Sequence, residues 1–246
     1  MLGLKGLSRS WQWKAAGKHP AAADYINPHG GTPLMEAMAE WVVKGYEEFQ
    51  RQRPAAHAHC SWRFWLRGAQ KGSLICGVGK DSSDRIGRPF PLLIVGEGPM
   101  KGWEKQWLQL PLALSKVWAR MERIAAQRYD DLQTMVHEVE QLAPPSPEDL
   151  NFASVNGGQG LGNREEKLST CRRELVDHGR AMVAINDSSQ PDLDAAATQW
   201  HGLLDRCCSE IPRAVFLGGT GQGAYLAVIQ QPLSTADFVR LWSPQV

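Results

Sequence analysis

The segment from Trp62 to Gly96, WRFWLRGAQKGSLICGVGKDSSDRIGRPFPLLIVG, constrains the fold more than any other part of the chain. Its apolar runs predict strands at about 61–67, 73–79 and 89–95, because each is bounded by glycine and charged residues. Between the last two runs lies the polar sequence DSSDRIGRPFP, which places opposite charges, a glycine and prolines within eleven residues. We therefore predict a compact turn of defined shape between buried strands.

The turn contains Asp84, Arg85, Gly87 and Arg88, with Ser82 just before them. No histidine, cysteine or second carboxylate stands near Asp84 at a spacing that would support acid–base, nucleophilic or metal chemistry. Two interpretations remain open. Asp84 either forms an internal ion pair that fixes the turn to the sheet, or the charged turn binds a protein partner. The structural interpretation is favoured, because the turn adjoins the most strand-like run in the chain.

The alternation in the first strand predicts a sheet that is covered on both sides. Trp62 and Phe64 should lie on one face, and Arg63 and Trp65 on the other. The continuous apolar run at residues 92–95 favours a central strand with two buried faces.

Helical periodicity surrounds these strands. A helix should begin after Thr32, with Pro33 in its first turn, and a long helix should cover about 115–142 with a bent or exposed turn at Arg128. Further helices are predicted near 164–179 and 191–210, strands at 213–218 and 223–230, and a closing helix with a capping box at Ser234 and Asp237. Helices before and after the strands predict an α/β fold with one mixed sheet and helices on both faces.

Composition excludes several functional classes. The chain has 246 residues, 43% of them hydrophobic, and a formal net charge of +1, so it offers no strong field for nucleic acid or anionic membranes. No apolar run has the length of a membrane-spanning helix, and the basic N-terminus is too polar for a signal peptide. Five cysteines without a pairing pattern fit a reducing compartment. We therefore expect a cytoplasmic protein with no membrane insertion, no nucleic-acid partner and no cofactor.

Three further patterns admit a functional and a structural interpretation. The sequence His57-Ala58-His59-Cys60 lacks a second ligand group, so a metal site is disfavoured. Gly218-Gly219-Thr220-Gly221-Gln222-Gly223 is followed by a strand-like run, which favours a hairpin over a phosphate-binding loop. The glycine-rich run at 156–163 follows a proline cluster, and we expect 143–163 to be a flexible loop.

Ten tryptophans, mostly in the first half, should largely be core residues. Trp11 and Trp13, which alternate near a polar terminus, are the best candidates for exposed aromatic anchors. Asp24 either braces a turn at the sheet edge or contributes to the same surface as the charged turn.

Several of these motifs resemble the TagF (ImpM-type) family of type VI secretion-associated proteins. The similarity is best over the first hundred residues. One part is Gly17-Lys18-His19-Pro20 with Asp24-Tyr25, and another, near the C-terminus, is Ile211-Pro212-Arg213. The longest part is WRFWL followed by the residues of the polar turn: Ser82, Asp84, Arg85, Gly87, Arg88, Phe90, Pro91 and Leu92. Two positions depart from the family pattern. Ala23 replaces a usual glycine, and Asp81 replaces a usual proline, so the local turn geometry is open.

The resemblance implies a single domain over residues 1–246 with a three-layer α-β-α arrangement and a mixed central sheet of about five strands. Residues 164–246 would add helices and a C-terminal hairpin to the same core. It also implies a non-enzymatic regulator in a Gram-negative bacterium, a post-translational repressor of secretion-system assembly that binds a cytoplasmic, forkhead-associated-type component. Two alternatives remain: a structural scaffold component of the secretion apparatus, and a small-molecule or nucleotide-binding protein that uses the glycine-rich loops.

Overall fold

The fold is described from a computed structural model. The described residues are 10–27, 30–52, 59–146, 148, 150, 162–185, 201, 205, 208, 210–220 and 223–243. Most of the predicted helix at 191–210 and most of the predicted loop at 143–163 lie outside these residues. Both stay predictions.

Seven strands among the described residues form one sheet. They are β1 (Gln12–Gly17), β2 (Ser61–Arg67), β3 (Ser73–Lys80), β4 (Leu92–Pro99), β5 (Arg180–Ala184), β6 (Ala214–Thr220) and β7 (Gly223–Ile229). Their order is β1-β4-β3-β2-β6-β7-β5, and every neighbouring pair is antiparallel. Strand β2 therefore joins the N-terminal strands to the C-terminal hairpin.

The predicted α-β-α arrangement with a mixed sheet of about five strands is wrong, because the sheet has seven strands and is entirely antiparallel. Helices alternate with strands along the sequence, but the strands that flank a helix do not pair in parallel. For example, β1 and β2 flank the first long helix, yet β1 pairs with β4 and β2 pairs with β3 and β6. Sequence alternation alone cannot distinguish these topologies.

The described residues also form five α-helices and two short 3-10 turns. The helices are α1 (Pro33–Gln52), α2 (Leu110–Ala126), α3 (Leu132–Glu140), α4 (Gly162–His178) and α5 (Thr235–Trp242), and the 3-10 turns are Trp103–Lys105 and Trp107–Gln109. None of these helices is long and apolar enough to cross a membrane.

Helix ends follow the sequence signals. The Thr32 hydroxyl accepts a hydrogen bond from the Met35 N–H at 3.3 Å, directly before Pro33 begins α1. Ser234 and Asp237 form the predicted capping box of α5. The long helix predicted over 115–142 is divided into α2 and α3 near Arg128, where the apolar stripe is interrupted, and Asp131 caps α3 by accepting from the Thr134 N–H at 2.8 Å.

Two buried clusters lie on opposite faces of the sheet, as the alternation in β2 predicts. Trp62 and Phe64 belong to the cluster that includes residues of α1 and α5. Trp65 belongs to the cluster that includes residues of α2, α3 and α4, and Arg63 on the same face pairs with Glu122 of α2 at 2.7 Å. Leu92 and Leu93 divide between the two clusters, so the run at 92–95 is buried on both faces.

Candidate functional site

The sheet brings two distant segments together at one end. We call residues 18–27, which follow β1, the N-terminal loop, and residues 81–91, which join β3 to β4, the charged turn. Leu92 lies opposite both Gly17 of β1 and Lys80 of β3, so the two segments leave the sheet side by side. These segments contain most of the residues on which the family resemblance rests.

Asp84 is the centre of the charged turn and is 1% exposed. Its Oδ1 accepts hydrogen bonds from the backbone N–H groups of Ile86 at 3.2 Å and Arg88 at 2.9 Å. Its Oδ2 accepts from the Arg88 Nε at 2.6 Å and lies 3.0 Å from the Nζ of Lys18. The carboxylate therefore joins the charged turn to the N-terminal loop, and both of its oxygens are engaged.

The protonation state of Asp84 follows from these contacts. Burial by itself would raise the pKa of this carboxyl, because a dry environment disfavours the charged form. The hydrogen bonds from the Arg88 backbone and from the Lys18 and Arg88 side chains outweigh that effect and hold the pKa well below its ordinary range. Asp84 is therefore ionised at neutral pH.

The arginines of the turn bind backbone carbonyl groups of the N-terminal loop. Arg85 donates from its Nη2 to the carbonyl of Ala21 at 2.9 Å, and its N–H donates to the carbonyl of Ala22 at 2.9 Å. Arg88 donates from its Nη2 to the carbonyl of Ala23 at 3.1 Å. Ala23, which departs from the family pattern, thus still supplies its backbone oxygen to the contact.

Asp24 lies at the edge of this network. Its Oδ1 is 3.5 Å from the Nη2 of Arg88, and its side chain is 75% exposed. An exposed pair at this distance contributes little to stability. Asp24 is therefore spatially part of the site but energetically peripheral to it.

Two glycines permit the local geometry. Gly87 has a φ of 84° at the tip of the charged turn, where its N–H donates to the Asp84 carbonyl at 2.9 Å. Gly17 has a φ of 102°, and a Cβ added there would collide with the carbonyl oxygen of Pro91. Glycine has no Cβ, so it adopts a positive φ without strain and allows the close approach of the Pro91 carbonyl.

The second departure from the family pattern has a structural role. Asp81 accepts hydrogen bonds from the Cys60 N–H at 2.9 Å and from the Trp242 Nε1–H at 2.6 Å. It therefore connects the charged turn to the C-terminal helix α5. Ser82 contributes its carbonyl, which accepts the Phe90 N–H at 3.0 Å and closes the turn.

The outer surface of the charged turn is unusual. Ile86 is 74% exposed, and it stands between Arg85 and Arg88, whose side chains are also exposed. Among the described residues, Val176 on α4 is the other large hydrophobic side chain with comparable exposure, 77%. The charged turn therefore presents an aliphatic side chain to solvent, between two arginines that are themselves hydrogen-bonded to the N-terminal loop.

Trp11 and Trp13 do not belong to this site, and the prediction that they are exposed is wrong. Trp13 is 4% exposed, and Trp11 is half-buried and stacks on it with ring centroids 4.9 Å apart. Gly96 and Gly98 of β4 leave room for these two rings, and the Trp11 Nε1 donates to the Pro99 carbonyl at 3.1 Å. The two indole rings thus occupy space above glycines that lie 83 to 87 residues later in the sequence. Local sequence therefore does not predict that these tryptophans are buried.

A cleft of about 850 Å³ lies beside the two segments and includes a residue that the sequence reasoning missed. His19 is 1% exposed, its Nδ1 accepts the Ala21 N–H at 3.1 Å, and its ring meets that of Tyr129 edge-on at 5.7 Å. Burial lowers the pKa of His19, because a dry environment disfavours the charged imidazolium. The hydrogen bond with the Gln127 backbone raises this pKa, but by less. The position of His19 in the GKHP motif was the available signal. Lys80, Asp81 and Ser82 also line the cleft.

No described residue of the glycine-rich loops lines this cleft. Thr220 and Gly223 are paired across antiparallel β6 and β7, so GGTGQG is the predicted hairpin, and a strand rather than a helix follows it. The run at 156–163 lies mostly outside the described residues, although Gly162 begins α4. His57 is also outside them, and no group of three possible metal ligands is found in the part of the chain that the structure describes.

Comparison with known proteins agrees with the placement of these motifs. Residues 15–143, about half of the chain, match the sequence profile of the TagF N-terminal domain, which is described as type VI secretion system-associated. The chain belongs to the TagF family. The match includes the N-terminal loop and the charged turn, and it ends before β5, β6 and β7.

One solved structure resembles this TagF-family protein only weakly. PA0076 from Pseudomonas aeruginosa PAO1, a crystal structure, is similar at 18% sequence identity with a TM-score of 0.48, over 95% of each chain. No curated protein matches the sequence. Type VI secretion association of this TagF-family protein therefore rests on the profile match.

Proposed function

We propose that this TagF-family protein is a non-enzymatic accessory protein of the type VI secretion system, a post-translational repressor that binds a cytoplasmic partner. The family resemblance favours a forkhead-associated-type component as that partner. Occupancy is the mechanism: while this protein covers the partner's surface, the partner is withheld from assembly.

The exposed tip of the charged turn is the observation on which the proposal rests. Ile86 and Arg85 face solvent, while Asp84 beneath them holds the backbone in place through two N–H groups and two cations. A preorganised turn loses little conformational entropy on binding. Arginine is a favoured interface anchor, and burial of an exposed aliphatic side chain is favourable.

The structural and docking interpretations of the turn are compatible in this arrangement. Asp84 lies inside and determines the shape, whereas Ile86 and Arg85 lie outside and are available for contact. The buried carboxylate also argues against chemistry at this position, because its low pKa and saturated oxygens suit a structural anion rather than a catalytic acid or base.

The test compares two matched substitutions, Ile86→Asp and Val176→Asp. Both replace a large, highly exposed aliphatic side chain, so both variants should fold as the parent does. The forkhead-associated component of the same secretion system, purified and immobilised, would be titrated with each protein. We expect Ile86→Asp to weaken binding by about tenfold or more and Val176→Asp to leave it unchanged.

Equal binding by both variants would contradict the assignment of the charged turn as the interface. Failure of the parent protein to bind, or its recovery mainly with assembled apparatus, would contradict repression by occupancy and favour the scaffold alternative. Substrate turnover that a single substitution abolishes would overturn the non-enzymatic proposal.

A further inference from the structure

The cleft of about 850 Å³ lies at the Lys80 end of β3 and contains polar groups that the proposed function does not use. Lys80 pairs with Ser61 of β2. Four segments surround the cleft: the N-terminal loop, the C-terminal part of α1, the charged turn with the end of β3, and residues 125–129 at the end of α2. Its volume lies within the range of about 300–1,000 Å³ that is usual for small-molecule sites.

Lys80 supplies a positive charge to this cleft. Its side chain lies on the same face of β3 as that of Val78, because side chains alternate along a strand, and Val78 belongs to the cluster that includes α2. Burial is the main cause of the lowered pKa of His19, and the charge of Lys80 is a further cause, so the ammonium group lies near that ring. Lys80 is half-buried, and its ammonium group forms no hydrogen bond or ion pair with another described residue.

Further hydrogen-bond donors line the cleft beside Lys80. Ser82 and Ser83 are half-buried, and neither hydroxyl is hydrogen-bonded to another described residue. Arg128 is exposed, and its guanidinium group has no ion pair with a described carboxylate. An ammonium group, two hydroxyls and a guanidinium group are the donors that phosphate oxygens accept from.

Asp81 is the acidic residue in the described lining of the cleft, and it does not pair with Lys80. Its Oδ2 accepts from the Cys60 N–H at 2.9 Å, and its Oδ1 accepts from the Trp242 Nε1–H at 2.6 Å. Trp242 belongs to the cluster on the other face of the sheet, so the Asp81 carboxylate points away from the face on which Lys80 lies. The positive charge of Lys80 is therefore not neutralised by the residues that line the cleft.

The part of the cleft on the α1 side is aromatic. Tyr46 and Phe49 on α1 and Phe90 at the end of the charged turn line it. The Tyr46 ring meets that of Phe90 edge-on with centroids 4.9 Å apart, and it lies 6.1 Å from that of Phe49. Phe90 is only half-buried, so part of its ring is open to the cleft. An aromatic wall of this kind favours a ligand with a planar ring.

We propose that the cleft binds a small molecule that carries a phosphate group and an aromatic ring system, the chemistry of a nucleoside phosphate or of an aryl phosphate. The Lys80 ammonium and the Ser82 and Ser83 hydroxyls bind the phosphate group, Arg128 contributes from the rim, and the ring packs against Phe90 and its aromatic neighbours. A phosphate monoester carries about −1.5 to −2 charges at pH 7, so it complements two cations better than a carboxylate does. The inference goes beyond the proposed function, because it concerns a small molecule and not the protein partner.

The first experiment titrates the full chain with four probes, followed by ligand-observed NMR: adenosine 5′-monophosphate, phenyl phosphate, adenosine and inorganic phosphate. We expect at least one of the two aromatic phosphates to bind about tenfold or more tightly than both adenosine and inorganic phosphate, because only the aromatic phosphates engage both parts of the cleft. The tighter binder of the two distinguishes a nucleoside phosphate from an aryl phosphate.

The second experiment compares matched substitutions with the tighter probe. Lys80→Gln removes the charge in the cleft, and Lys71→Gln removes an exposed charge just before the other end of β3. We expect Lys80→Gln to weaken binding by about tenfold or more and Lys71→Gln to leave it unchanged. Ala126→Trp places an indole in the cleft from an exposed position and should abolish binding, whereas Ala119→Trp, two turns earlier on α2 and outside the lining, should not.

Three outcomes would overturn the proposal. They are failure of both aromatic phosphates to bind, equal binding by Lys80→Gln and Lys71→Gln, and equal binding by Ala126→Trp and Ala119→Trp. Inorganic phosphate that binds as tightly as the aromatic phosphates would indicate an adventitious ion only, and adenosine that does so would remove the role of Lys80. Ile86 does not line the cleft, so the partner titration with Ile86→Asp can succeed or fail independently.

Discussion

The two ends of strand β2 use the same residue types in opposite ways. At the Ser61 end, Lys18 and Arg88 surround the buried carboxylate of Asp84, and their charges are compensated inside the protein. At the Arg67 end, Arg67 and Arg213 are adjacent, exposed and without an ion pair among the described residues. A cluster of cations is therefore structural where a carboxylate is buried within it, whereas exposed cations without a described carboxylate partner stay solvated.

Removal of the Asp84 carboxylate should have the largest effect. Asp84→Ala leaves Lys18 and two backbone N–H groups without their acceptor, and we expect the melting temperature to fall by about 10 °C. Thermal unfolding followed by circular dichroism measures this change. Asp24→Ala is the control, and its effect should stay within about 1 °C because that side chain is 75% exposed.

The pH dependence of the same site provides a separate readout. The pKa of Asp84 is lower in the folded protein, so its stabilising effect is complete above the unfolded pKa of about 4 and is lost as the pH falls below it. Asp84→Asn should therefore be less stable than the parent at pH 7, with a difference that shrinks on acidification. A difference that stays constant down to about pH 3 would contradict an ionised Asp84.

Substitution of the glycine between β1 and the N-terminal loop should have an intermediate effect. Gly17→Ala combines a positive φ with a collision at the Pro91 carbonyl, and we expect the melting temperature to fall by roughly 6 °C. Gly87→Ala has a positive φ but open space around the added Cβ, so roughly 3 °C is expected. Equal falls would mean that the close approach to Pro91 does not contribute.

The smallest effect should come from the Arg67 end of β2. Arg67→Ala/Arg213→Ala removes two exposed charges that have no described ion-pair partner, so the melting temperature should change by no more than about 1 °C. Lys18→Ala, the matched loss of a cation at the other end, should lower it by about 5 °C. Comparable destabilisation by both would show that Arg67 and Arg213 also stabilise the fold and would remove the contrast between the two ends of β2.

Local signals in the sequence predicted the elements better than their arrangement. The alternation of Trp62, Phe64 and Trp65 assigned both faces of β2 correctly, and Ser234 with Asp237 marked the start of α5. Strands β1 and β5 were missed, because both are short edge strands whose pairing depends on residues far away in the sequence. Topology was wrong for the same reason.

The site could be predicted in part. The charged turn was identified because opposite charges, Gly87 and Pro89 occur together, and the resemblance linked it to Lys18 and Asp24. The burial of His19 and the anchoring role of Asp81 could not be predicted, because their partners Gln127 and Trp242 are more than a hundred residues away. The contact between Arg67 and Arg213 is equally non-local, since these residues meet only where β2 pairs with β6.

The position of β2 between β3 and β6 has a consequence during synthesis. When the ribosome has completed residue 143, four strands of the sheet are available, but the outer edge of β2 still lacks the partner that begins at Ala214. At cellular translation rates, that hydrogen-bonding edge stays open for on the order of ten seconds. The open edge of a strand that contains tryptophan and phenylalanine can pair with strands of other nascent chains. A product truncated at residue 143 should therefore aggregate under conditions in which the full chain does not.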